Sequence, residues 1–65
     1  MMITVEFMFG LMEHVHIEPL AADGVVLVLR IGSTGASYLV RVWMGETVHE
    51  LWFMEEELSA IAGHG

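Results

Sequence analysis

The run Tyr38-Leu39-Val40-Arg41-Val42-Trp43-Met44-Gly45-Glu46-Thr47-Val48-His49-Glu50-Leu51-Trp52-Phe53 decides the fold. Its first seven residues are rich in β-branched and aromatic side chains, which fit a pleated strand. Gly45-Glu46 supplies a two-residue turn, and Val48 to Phe53 forms the return strand. Counting back from that turn sets Met44 opposite Thr47, Trp43 opposite Val48, Arg41 opposite Glu50 and Leu39 opposite Trp52. The Arg41–Glu50 pair favours this register, because opposite charges attract across a ladder and a slip separates them. The hairpin is apolar on both faces, so its outer side is also expected to be covered by something.

Upstream, Val25 to Ile31 is an apolar run broken by Arg30, short and β-branched enough for a strand. Gly32-Ser33-Thr34-Gly35 is a turn by composition. Across it Ile31 opposes Ala36, Leu29 opposes Tyr38, Val28 opposes Leu39 and Leu27 opposes Val40. One face then carries Leu27, Leu29, Ile31, Tyr38, Val40, Val42, Leu51 and Phe53, the expected core. The other carries Val26, Val28, Arg30, Leu39, Arg41, Trp43, Val48, Glu50 and Trp52.

Met1 to Phe9 alternates with a strand period, Gly10 interrupts it, and Leu11 to Glu13 starts a short turn. His14 to Glu18 alternates again, with Val15 and Ile17 on one face and Pro19 as the terminator. Leu20 to Gly24 reads as a loop closed by Asp-Gly. After the hairpin, Glu55-Glu56-Glu57 suits a 3₁₀ turn, Leu58 a plug for the core, and Ser59 to Ile61 a last strand. The expected architecture is all-β: a small SH3-like barrel of about five antiparallel strands with a short 3₁₀ turn near the C-terminus. Residues 1–62 make a single domain and 63–65 a flexible tail.

Sixty-five residues bury only about 60% of their unfolded surface, so the core is marginal. Small folds of this size usually carry a staple, and without cysteine neither a disulfide nor a thiolate metal site is available. Hydrophobic residues make up 55% of the chain, above the usual share, and self-association is the simplest outlet for the surplus. Nine carboxylates stand against two arginines and no lysine, giving a formal net charge of −7. That acidic balance argues against nucleic acid, whose phosphates are met by Lys and Arg. No apolar run is long enough for a membrane helix and the start has no basic region of a signal peptide, so a cytoplasmic, membrane-free protein is expected.

Gly24 before a hydrophobic strand, Tyr38-x-Val40-x-Val42-Trp43, and Trp52-Phe53-x-Glu55-x-Glu57-Leu58 together resemble a group of short phage, prophage and mobile-element proteins. The likeness spans roughly Phe7 to Leu58 and includes Val15-x-Ile17. It implies a small SH3-like or Tudor-like barrel. The group mostly has no assigned activity and supplies no catalytic residues. The absence of lysine and the Met-rich start depart from it.

Candidate chemistry is sparse. His14 and His16 share a strand face and could hold zinc or nickel, with Glu18 or His49 as a third ligand. No ion is expected there, because a structural zinc site usually takes four ligands and spacing fixes none. The three consecutive glutamates lack the spaced oxygens and glycine of a calcium loop. Trp43 and Trp52 with Glu50 could form an aromatic cage for a cation, but the same residues read better as a self-association surface. No serine has a spaced His-Asp partner, and Gly32-x-x-Gly35 is too short for a phosphate loop. Neither catalytic residues nor cofactors are expected.

The expected role is therefore a non-enzymatic, self-associating protein-interaction module of a phage or mobile element. Val28, Leu39, Arg41, Trp43, Val48, Glu50 and Trp52 form its interface, and the partners are a second copy or another protein. The alternatives are an oligomer that binds a small molecule or acts as an enzyme at its symmetry axis, and a virion or assembly component.

Overall fold

A computed structural model describes residues 7–61. Five antiparallel strands form one sheet: β1 (His14–Ile17), β2 (Ala22–Gly32), β3 (Gly35–Met44), β4 (Thr47–Met54) and β5 (Leu58–Ala60). Two 3₁₀ turns, Glu18–Leu20 and Glu55–Glu57, punctuate the chain before β2 and β5. The strand order is β4-β3-β2-β1-β5, so three sequential hairpin neighbours are followed by a return that lays β5 beside β1. Among the described residues the sheet is not closed, with β4 at one edge and β5 at the other. Barrel closure is thereby corrected to an open sheet.

The β3–β4 ladder runs as counted from the turn: Met44–Thr47, Trp43–Val48, Arg41–Glu50 and Leu39–Trp52 are all partners. Gly45 adopts φ +66°, which glycine takes without strain at the first turn position. The β2–β3 ladder begins as expected, with Ile31–Ala36, Leu29–Tyr38 and Val28–Leu39. It then shifts, so that Val26 rather than Leu27 pairs with Val40. Leu27 is the extra residue of a β-bulge, which reverses the facing of everything before it. Val26, expected on the outer face, is therefore fully buried.

The core consists of Phe9, Val15, Ile17, Val26, Tyr38, Val40, Val42, Phe53 and Leu58, all buried. Complete burial of each such aliphatic or aromatic side chain stabilises the fold by roughly 1.5–3 kcal/mol. Phe9 and Tyr38 meet edge to face with ring centroids 5.4 Å apart, and Phe7 approaches Tyr38 at 6.0 Å. Four expected core residues lie outside this set: Leu27 at the bulge and Leu29 packed against the core are partly buried, and Ile31 and Leu51 are exposed. Ile31 is 51% exposed because it sits next to the end of the β2–β3 hairpin, and Leu51 is 37% exposed because it lies on the open edge.

Two stretches near the N-terminus also differ from expectation. Residues 7–9 form no strand, and the rest of the strand expected over Met1 to Phe9 lies outside the described residues. Ala22, Asp23 and Gly24 belong to β2 rather than to a loop. Gly24 pairs with Val15 on one side and Val42 on the other. A Cβ there would stand 2.6 Å from Val40 Cγ1 and 2.7 Å from the Arg41 carbonyl oxygen. Glycine is thus required by close packing of backbones, which the Asp-Gly dipeptide disguises as a turn signal. Ala62 to Gly65, with the tail expected over 63–65, lie outside the described residues.

Candidate functional site

Strand alternation builds the main surface feature. On β3, Tyr38, Val40 and Val42 point into the core, so Leu39, Arg41 and Trp43 face outward. The ladder sets Trp52, Glu50 and Val48 beside them, and the bulge leaves Val28 opposite Leu39. All seven expected interface residues therefore share one face. Trp43 is 57% exposed, Val48 48%, Trp52 47% and Val28 40%. At the centre, Arg41 Nη2 donates to Glu50 Oε2 at 2.9 Å, with Nε at 3.3 Å. Arg30 adds a second cation to the same face, its guanidinium carbon 5.6 Å from the centroid of Trp52. Both arginines of the chain thus lie on this surface.

The two tryptophans flank the Arg41–Glu50 rung on opposite strands, Trp43 beside Val48 and Trp52 beside Leu39. They do not converge into a cage, and Trp52 already receives the cation of Arg30.

Strand β4 is exposed from Thr47 through Trp52, on both faces, before Phe53 enters the core. Thr47 donates from its hydroxyl to the Met44 carbonyl at 2.9 Å and lies 3.1 Å from His49 Nε2. The opposite edge, β5, is only three residues long.

The histidine face lies at that other end. Val15 and Ile17 are fully buried and His14 and His16 point away from them. His16 Nδ1 lies 2.8 Å from Asp23 Oδ1, and its Nε2 is 3.9 Å from Glu18 Oε2. Ser59 donates to the same Glu18 oxygen at 2.8 Å. His49 is on β4, separated from β1 by two strands, and cannot join them. Among the described residues no three His, Asp or Glu side chains gather to hold a metal ion.

Two of the three consecutive glutamates have structural partners. Glu57 Oε1 accepts from the Met54 amide at 2.8 Å and caps its 3₁₀ turn. Glu55 Oε2 accepts from the Tyr38 hydroxyl at 2.5 Å and from the Met8 amide at 3.3 Å. Desolvation by burial pushes the Tyr38 hydroxyl above its ordinary value of 10, and the bond to Glu55 adds to the rise. The signal for this contact was available in outline, since a buried tyrosine hydroxyl needs a partner. A shallow cleft of about 420 Å³ lies beside it, walled by Met8, Ala36, Met54, Glu55 and Glu56. No helix among the described residues is long and apolar enough to cross a membrane. No protein-family model, curated protein or solved structure matches this chain.

Proposed function

We propose that this protein is a non-enzymatic interaction module that self-associates through the outer face of β3 and β4, on an SH3-like framework. The strand order and the 3₁₀ turn before β5 support that framework, even though the sheet is open. One observation carries the reading. Both tryptophans and both arginines of a strongly acidic chain share one half-exposed apolar face. Scattered exposed apolar residues are ordinary, but a contiguous patch around a paired charge marks an interface. The arginines make this the part of a −7 molecule where a second copy meets least repulsion. The likeness to short phage and mobile-element proteins fits such a module.

Light scattering tests the reading. The wild-type chain is expected to run as an oligomer, and Trp43→Asp as a smaller species, because a carboxylate in the apolar patch penalises contact. A wild-type monomer at high concentration, with both tryptophans quenched by solvent, overturns it.

A further inference from the structure

We infer that two copies join by antiparallel pairing of β4 with β4, giving one continuous ten-stranded sheet across a two-fold axis. This rests on the self-association reading but places the contact on the backbone edge of β4, beside the outer face rather than on it. The inference starts from the contrast between the two edges of the sheet. An exposed edge strand offers unpaired backbone donors and acceptors, and monomeric proteins guard such edges with shortness, lysine, proline or bulges. β5 is guarded by its length of three residues. β4 has eight residues, contains neither lysine nor proline, and keeps an unbroken register with β3 from Thr47 to Met54. Its one carboxylate, Glu50, is paired with Arg41 rather than left free to repel an incoming strand.

The direction of the free backbone groups follows from the turn. A two-residue turn makes Met44 and Thr47 a hydrogen-bonded pair, and antiparallel ladders alternate. Thr47, His49 and Leu51 therefore bond inward to β3, while Val48, Glu50 and Trp52 aim their N–H and C=O groups outward. A strand added there also extends the outer face, since these three side chains belong to it.

A second copy is the occupant that fits. Self-pairing through one surface is isologous and closes after two chains. Head-to-tail growth would need β4 of one copy on β5 of the next, and β5 is too short to accept it. The chemistry of the rung agrees: each Glu50 brought near the axis is already neutralised by Arg41 at 2.9 Å. On the other face, Leu51 gains cover at the position where the open sheet leaves it 37% exposed.

The test combines amide hydrogen exchange on the full chain with one variant placed away from the outer face. Light scattering should give twice the chain mass. In that dimer the amides of Val48, Glu50 and Trp52 should exchange at least about tenfold more slowly than unpaired edge amides. Leu51→Lys puts a charge on the edge strand, on the side opposite Trp43, and should yield a monomer that still folds. Fast exchange at those three amides, or a Leu51→Lys protein still dimeric while Trp43→Asp is monomeric, overturns the edge pairing and leaves face association standing. An open-ended polymer overturns the two-fold closure. A monomeric wild type overturns both readings.

Discussion

The Tyr38 hydroxyl donates to Glu55 Oε2 at 2.5 Å, tying the buried centre of β3 to the 3₁₀ turn that delivers β5. The same two oxygens receive the Met8 amide, at 3.1 and 3.3 Å, so the N-terminal segment is pinned to the same point. Three parts of the chain far apart in sequence meet there. Tyr38→Phe keeps the ring packing against Phe9 and removes a hydrogen bond to a carboxylate. The expected loss is about 1.5–3 kcal/mol, measured by urea denaturation. An unchanged midpoint would show that the bond contributes nothing net.

The same contact has a pH signature. Folding raises the Tyr38 pKa above 10, so the folded state holds the phenolic proton more tightly than the unfolded state. The associated stability is complete below pH 10, and it is lost as pH rises from there through the folded-state value. Thermal unfolding of wild type and Tyr38→Phe should differ most below pH 10 and converge above it, provided other alkaline titrations cancel in the comparison.

Gly24→Ala should destabilise by roughly 1–3 kcal/mol, the usual cost of forcing a methyl into a packed core. The obstacle on one side is the Arg41 carbonyl, a backbone atom 2.7 Å from the added carbon, which cannot rotate away. Strands β2 and β3 must separate locally. Circular dichroism melts of the variant, matched by a Gly35→Ala control, check this. The control has open space for the methyl but a φ of +117°, so its loss is conformational rather than packing.

What was legible from residues alone follows the strength of the period. Around Gly45 the turn length, the aromatic pattern and the Arg41–Glu50 pair all agree, and every counted rung is present. Around Leu27 every neighbour from Val25 to Leu29 is apolar, so alternation carries no information and a one-residue bulge leaves no trace. That is why simple alternation puts Val26 on the wrong face. Leu51 and Ile31 failed for another reason. Their facing was right, but facing does not reveal whether anything lies across from a residue at an open edge or a hairpin end. Alternation places the histidine pair opposite Val15 and Ile17, whereas the 2.8 Å contact between His16 and Asp23 depends on β2 starting earlier than composition suggests.

Ala21 ends the first 3₁₀ turn in the left-handed region, at φ 51° and ψ 44°. An alanine held there is strained by about 1–2 kcal/mol, and glycine is not. Glycine also gains freedom in the unfolded chain, which offsets part of that relief. Ala21→Gly should therefore raise stability by up to about 1 kcal/mol, or at worst leave it unchanged. A clear drop in the melting temperature would mean that the methyl makes contacts that outweigh the backbone term.

The bulge at Leu27 also sets where the gene can change length. Removing one residue from a strand ordinarily turns every later side chain inside out. At Leu27 the opposite holds, because Val26 and Val28 already pair with the consecutive residues Val40 and Leu39. A chain lacking Leu27 keeps Val26 inward and Val28 outward with an ordinary alternation, giving up only the extra twist. Single-codon deletions should thus be tolerated at Leu27 and at its apolar neighbours, which can slide into the bulge and close it, and rejected within β4, whose register with β3 is unbroken from Thr47 to Met54.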